Sequence, residues 1–450
     1  MAWNDLKNIA YEEIKQRGEE GCDVTGCRER LDACGGDIAA IIALLDEMEK
    51  LTISPDYPFN EPNGWEEITA LSTGDLPALA KPGDDEIADR IHGAWLGRCC
   101  ACALGKPFEA YPYVCGKDGE GGWTWVKRWF EEAGQWPISY YAPRSSPAKE
   151  KHGLDIICHN CTAEKIDTMC SDDDIRYMVT ALLMLERHGA DFDPFNVGDM
   201  WHDKLTLNQV CTAENIAYIN YANIKAFEDY RTQLDYVRCH RNPYREWIGA
   251  EIRIDGYAYA AAGNPWLAAK MAYNDAAFSH VKNGIYGAMF TAAAIAAALA
   301  GAGPRECVDT GLAVIPKTSR LYADIKKAVL FAEESATVEE LCGKLWSEFS
   351  HYNWVHTNNN VAAVAASVIW GNGDFEKSIA TAVLCGWDTD CNGATVGSIA
   401  GAMQGASNLP EKWTAPLRDT LYSEIPDFHP IKISECARRS FEIYKRLKNV

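Results

Sequence analysis

Gly393, Gly397, Gly401 and Gly405 follow one another at intervals of four in "GWDTDCNGATVGSIAGAMQG". On a helix they share one face. Each costs about 1 kcal/mol relative to alanine in a helix interior, so the face forfeits roughly 4 kcal/mol of propensity. The compensating gain is close approach of another helix backbone. The alanine-rich run "GIYGAMFTAAAIAAALAGAG" (284–303) is the expected partner. The glycine helix is therefore expected to be central, with "DTDCN" at its N-terminal mouth.

Helical signals dominate the rest of the chain. "DDEIADRIHGAWLGRCCACALG", "DDDIRYMVTALLMLERHG", "PWLAAKMAYNDAAFSH" and "NNVAAVAASVIWG" each read as a helix, and alternating β patterns are scarce. The expected fold class is all-α with long loops. Residues 1–80 read as a small helical accessory region and linker, with two short helices in the first fifty residues. The second, "DIAAIIALLDEMEKL", places Ile38, Ile41, Ile42, Leu45 and Met48 on one face. Three prolines in "SPDYPFNEPNG" (54–64) break regular structure before a main body spanning 84–450. The aromatic stretches "WTWVKRWF" and "YINYANIKAFEDY" read as loops or short helices.

With 64 acidic against 43 basic residues the net charge is −21, which argues against a nucleic-acid partner. A negatively charged substrate stays possible, because a metal ion can reverse the local field. The alanine-rich run lacks the large aliphatic residues that drive membrane insertion, so no membrane span is expected. An amphipathic, charged N-terminus and 17 cysteines, an odd number with adjacent pairs, point to reduced thiols and a cytoplasmic setting. "CHNC" (158–161) has half a zinc spacing without its second half, and structural zinc is not expected there.

Two acidic clusters carry the chemistry. The spacing of Asp388, Asp390, Asn392 and Gly393 mimics an EF-hand, yet the closing glutamate position holds Ile399 and the ninth position Val396, so it is not one. Asp390 or Asn392 could instead cap the glycine helix. In "CSDDDIRYM" (170–178), Ser171 could cap a helix whose positive end suits Asp172, Asp173 and Asp174. Two such mouths side by side would gather four or five carboxylates, and their repulsion calls for a cation. Oxygen ligands without clustered histidine or cysteine favour magnesium, manganese or calcium, and so many carboxylates suit two ions. The aspartate-rich isoprenoid synthases do not fit, since Arg176 stands where their motif needs an acid.

These segments, in order, resemble the ADP-ribosylglycohydrolases. "GAWLGRCCACALGKPFE" (93–109) is similar to that family's opening helix, "SDDD" to its Thr/Ser-Asp-Asp motif, "NDAAFSH" (274–280) to a substrate-side segment, and "GWDTDCNGATVGSIAGAMQG" to its Asp-Thr-Asp motif and following helix. The resemblance implies an all-α orthogonal bundle with a binuclear magnesium cleft, manganese being a possible substitute. It implies Ser171, Asp172, Asp173, Asp388 and Asp390 as metal ligands, and Glu109 and Asp173 as catalytic carboxylates. His280, His356 and Trp387 would contact substrate. Read alone, Glu109 is a loop acid after Pro107 and His280 a helix-terminal histidine. His356 would lie in a helix-entry loop capped by Asn358 or Asn359, and Trp387 would be a core aromatic.

Two departures accompany the resemblance. Cys391 stands where the family has threonine after Asp-x-Asp, a poor ligand for a hard ion. The stretch matching the glycine-rich diphosphate loop is "NPYREWIGAEIRIDGY" (242–257), which is bulky and aromatic. The implied function is magnesium-dependent hydrolysis of an N- or O-glycosidic bond to ADP-ribose, on a small molecule or an ADP-ribosylated substrate. The alternatives are the same chemistry on a smaller riboside, nucleoside or other glycoside, and a non-catalytic binding member.

Overall fold

The computed structural model describes residues 5–224 and 229–448, so part of the aromatic stretch "YINYANIKAFEDY" lies outside the described residues. The chain is all-α, about 63% helical. Its described sheet is one two-residue pair, Thr420–Leu421 against Ile431–Lys432. Among the described residues no helix is long and apolar enough to cross a membrane.

The first fifty residues form three helices, α1 (Leu6–Glu19), α2 (Cys27–Cys34) and α3 (Ile38–Met48), one more than the pattern suggested. Asp5 and Asp37 cap α1 and α3 by accepting from backbone N–H groups of the first turn. The three helices enclose a small core that includes Ile9, Leu31, Ile41, Leu44, Leu45 and Met48. Ile38 and Ile42, expected inside, are 64% and 40% exposed. Two short supporting helices cover only the ridge formed by residues 41, 44, 45 and 48, and both isoleucines lie on its flank.

Six further helices build the site: α4 (Asp84–Gly105), α5 (Asp173–His188), α6 (Thr212–Tyr221), α7 (Lys282–Leu299), α8 (Thr357–Gly371) and α9 (Thr389–Gln404). The glycine face of α9 does meet another backbone, but that of α4 rather than the alanine-rich α7. A Cβ at Gly401 would run into the carbonyl oxygen of Gly93, and one at Gly397 into that of Gly97. One at Gly393 would lie 2.6 Å from the carbonyl oxygen of Ala101. The partner is α4 because it carries its own small-residue row, Gly93, Gly97, Ala101 and Gly105, and glycine against glycine allows a closer approach than glycine against alanine. The alanine-rich α7 is buried along its whole length and touches α9 from another side. Gly405 belongs to the helix stop, at φ 77°, rather than to the interior.

The pairing has a direction. As the α9 position falls by four from 401 to 393, the α4 position rises by four from 93 to 101. The helices are antiparallel, so the C-terminal end of α4 lies beside the N-terminal mouth of α9. There Thr389 Oγ1 donates to the carbonyl of Gly105 at 2.9 Å. The seam thereby sets Glu109, one short turn beyond α4, next to Asp388 and Asp390.

Candidate metal centre and substrate cavity

At the mouth of α9 the chain enters through Gly386 and Trp387, both in the left-handed region, at φ 76° and 58°. Asp388 is the N-cap residue, yet its side chain makes no capping bond, and neither Asp390 nor Asn392 supplies one. Asn360, on α8, instead accepts from the Asp388 backbone N–H at 3.3 Å and from Asn392 Nδ2 at 2.8 Å. That arrangement leaves the carboxylates out of the helix cap. Oδ1 of Asp388, Oδ1 of Asp390 and Oδ1 of Asn392 are buried and take no hydrogen bond. Orphaned acceptors of this kind are uncommon in folded proteins.

The second acidic cluster meets the first. Asp172, not Ser171, caps α5, accepting from the Asp174 N–H at 3.0 Å. Its carboxylate also pairs with Lys106 Nζ. The Ser171 hydroxyl accepts from Arg176 at 3.1 Å. Asp174, fully buried, pairs with Arg98 at 2.9 Å, and Arg98 also reaches Asp255 at 2.7 Å. Asp173 therefore becomes the α5 acid that faces open space. It lines a cavity of about 270 Å³ together with Glu109, Asp388, Asp390, Glu214 and the rings of Trp247 and Trp354.

Glu109, Asp388 and Asp390 each offer an oxygen within 4.8 Å of the other two, and Asp174, Asp390 and Cys391 form an adjoining group. Burial raises the Asp388 carboxyl well above its usual range, and the neighbouring Asp390 and Glu109 charges add to the rise. Burial and the charges of Asp390 and Asp173 do the same to Glu109. Orphaned, mutually repelling oxygens in a site of carboxylates fit a hard divalent cation. The thiol of Cys391 is a soft donor and a poor ligand for such a hard ion. The donor chemistry thus selects Glu109, Asp388 and Asp390, with Asp173 beside them, as the place where a cation could be held.

The sequence profile of the ADP-ribosylglycohydrolases matches residues 83–442. This chain belongs to the ADP-ribosylglycohydrolase family. It is accordingly a hydrolase acting on glycosyl bonds. Among solved structures, one described as an "ADP-ribosylglycohydrolase-related protein complex" is similar at 20% identity and a TM-score of 0.48, covering 80% of this chain and 99% of that chain. No curated protein sequence matches significantly. Residues 1–82 lie outside the matched segment.

Three residues that the family resemblance assigned to substrate do not line this glycohydrolase's cavity. His280 is fully buried behind it, with Nδ1 on Ser279 Oγ at 2.8 Å and Nε2 3.9 Å from Glu214. Burial first, then Arg253, holds its pKa well below the usual imidazole value, so it is neutral. His356 is itself the N-cap of α8, its Nδ1 accepting from the Asn358 N–H at 3.1 Å, and its Nε2 faces Glu19 of α1 at 3.4 Å. Trp387 stacks on Trp346 at 5.2 Å and 12°, as a core aromatic would. Ser171 and Asp172 are likewise engaged elsewhere, by Arg176 and Lys106.

Sequence reasoning missed Tyr177, Glu214 and Trp354, whereas Trp247 lies in the aromatic stretch read in place of the diphosphate loop. Glu214 on α6 lines the cavity and pairs with Arg253 at 2.8 Å. Burial, only partly offset by Arg253, pushes its carboxyl up to about 7. The approach is close, because a Cβ on Gly249 would collide with this carboxylate. Tyr177 lies four residues beyond Asp173 on α5, one turn along the same face. That spacing was the available signal for it.

Proposed function

We propose that this glycohydrolase cleaves the glycosidic bond of a compact riboside, held through its vicinal hydroxyls at a two-magnesium centre. The observation that carries the reading is the cavity itself. It measures about 270 Å³, is walled by Trp247, Trp354 and Tyr177, and has five carboxylates and no lysine or arginine in its lining. Ligand pockets of drug size start at about 300 Å³. A pentose with a small leaving group suits that space and its aromatic faces. A diphosphate would bring two negative charges among carboxylates with no protein cation facing it.

Glu109, Asp388 and Asp390 would hold one cation, and Asp173 with Asp390 a second. When bound, the pair supplies Lewis-acid charge against the sugar hydroxyls and fixes the anomeric carbon in the cavity. Glu109, ionised once it holds a cation, is placed to take a proton from the water that attacks the anomeric carbon, and Glu214, pushed up to about 7, to give one to the leaving atom. Asp173 faces the positive charge that develops on the ring in an oxocarbenium-like transition state. Trp247, Trp354 and Tyr177 exclude water from the sugar face, and Glu214 contacts the leaving-group side.

Family membership favours a second reading, in which the bond is to ADP-ribose and the ADP portion extends beyond the cavity. Competition separates the two. Ribosides with free vicinal hydroxyls are expected to be hydrolysed in magnesium and to compete with ADP-ribose, while 2-deoxy analogues do neither. Submicromolar ADP-ribose binding with release from a modified protein would establish the second reading instead.

A further inference from the structure

The helix that precedes the family-matched segment is joined to one wall of the cavity by buried charges. Tyr244, Arg245 and Glu246 are consecutive, and each is bonded to α1. Asn8 donates to the Tyr244 hydroxyl at 3.2 Å. Arg245 pairs with Glu13 at 2.7 Å and with Glu20 at 3.0 Å. Gln16 donates to Glu246 at 2.8 Å. The next three residues, Trp247, Ile248 and Gly249, line the cavity.

The opposite strand of the same wall is held in the same way. The Ile248 N–H donates to the Val355 carbonyl at 2.9 Å, and the Thr357 N–H to the Glu246 carbonyl at 3.1 Å. Val355 and Trp354 line the cavity too. His356, between Val355 and Thr357, faces Glu19 of α1 at 3.4 Å. One face of α1 thus contacts both segments that carry Trp247 and Trp354. The side chains of Arg245, Glu13 and Glu20 are each no more than 4% exposed. A charge network of this kind tolerates little sliding, because any displaced partner leaves an uncompensated buried charge.

We propose that α1 is a positioning element of the substrate site, fixing the Trp247–Trp354 wall and with it the size of sugar and leaving group the cavity admits. The residues concerned, Glu13, Glu19 and Glu20, touch neither substrate nor cation and act through Arg245 and His356. The statement about sugar size rests on the compact-riboside reading. The statement that α1 holds the wall does not.

The test uses the full chain with Glu20→Gln, and Glu19→Gln as a milder second variant should the first fold poorly. Hydrogen exchange at the Ile248 and Thr357 amides is expected to accelerate tenfold or more, while amides of α4 and α9 keep their wild-type rates. KM for a riboside is expected to rise at least fivefold, with kcat within twofold and magnesium affinity unchanged. Wild-type exchange at both amides in a folded Glu20→Gln or Glu19→Gln protein would overturn the proposal. So would accelerated exchange with an unchanged KM, as far as selection of substrate is concerned. Accelerated exchange in a protein whose wild type hydrolyses no riboside would support the positioning role and reject the compact-riboside reading.

Discussion

At the junction with α1, Glu20 lies against Arg245, and at the mouth of α9, Asp388 lies against Asp390 and Glu109; Glu20 and Asp388 are both buried, and they respond in opposite senses. Burial alone would raise the Glu20 carboxyl, but Arg245 and Lys282 more than offset it and hold it at about 2. Asp388 has no such partner, so burial and like charges together push it far up. The same side-chain chemistry is thus structural where a guanidinium answers it and unsettled where only other carboxylates do. Unsettled carboxylates at a cavity are the mark of a functional centre.

The largest effect is expected where the α4–α9 seam that assembles the unsettled set is forced apart. Gly397→Leu would drive a side chain into the Gly97 backbone. Overpacking costs about 1–3 kcal/mol even where side chains can yield, and here the obstacle is main chain. The variant is expected to yield no cooperatively folded protein by calorimetry. A normal melting transition would mean that α4 and α9 are not in backbone contact, and the grouping of Glu109 with Asp388 would lose its structural cause.

Next in size is the settled set. Arg245→Ala leaves Glu13 and Glu20 buried with only Arg17 and Lys282 facing them, and breaking a buried pair from one side costs up to about 3–5 kcal/mol. Denaturant unfolding measures it. A loss below about 1 kcal/mol would place these carboxylates in solvent and dissolve the contrast with Asp388.

The contrast also explains what was legible beforehand. Both acidic motifs and the glycine face were readable, because each depends on short-range spacing: Gly397 lies four residues from Gly401, and Asp390 two from Asp388. The matching row Gly93, Gly97, Ala101 and Gly105 was equally readable, but a small-residue face announces close contact without naming its partner. The residues carried over to substrate contact lie off the cavity lining for another reason. His280 and His356 are both histidines beside a glutamate of the chain, and nothing local to either sequence shows whether that side faces the cavity or α1. The Glu20–Arg245 pair spans 225 residues. No periodicity reports such a pairing, so the contact between the N-terminal region and the cavity wall was not legible.

A smaller effect sharpens the sign of the settled set. Glutamine has the shape of protonated glutamate, so Glu20→Gln is expected to destabilise by about 2 kcal/mol at neutral pH, the worth of a charged hydrogen bond. The folded value of about 2 lies below the ordinary 4.5, so the stabilisation is complete above 4.5 and lost as pH falls from there toward 2. Stability measured against pH should show wild type and variant parallel above 4.5 and converging below it. A gap that stays constant through this window would show that the Glu20 charge is not what stabilises the junction.

The smallest effect has the opposite sign and concerns the unsettled set. A carboxyl whose folded pKa is raised costs stability at every pH above its unfolded value, so at neutral pH Asp388 is a burden in the absence of a cation. Asp388→Asn keeps the shape and removes the charge, and in chelator it is expected to be more stable than wild type by about 1 kcal/mol. Magnesium reverses the order. A cation at 100 times its dissociation constant stabilises the wild type by about 2.7 kcal/mol, whereas the variant has lost a donor and gains less. Melting temperatures of both proteins in chelator and in magnesium should therefore cross. A variant less stable under both conditions would mean that Asp388 already has a partner in the cation-free protein, and the two buried sets would then differ only in degree.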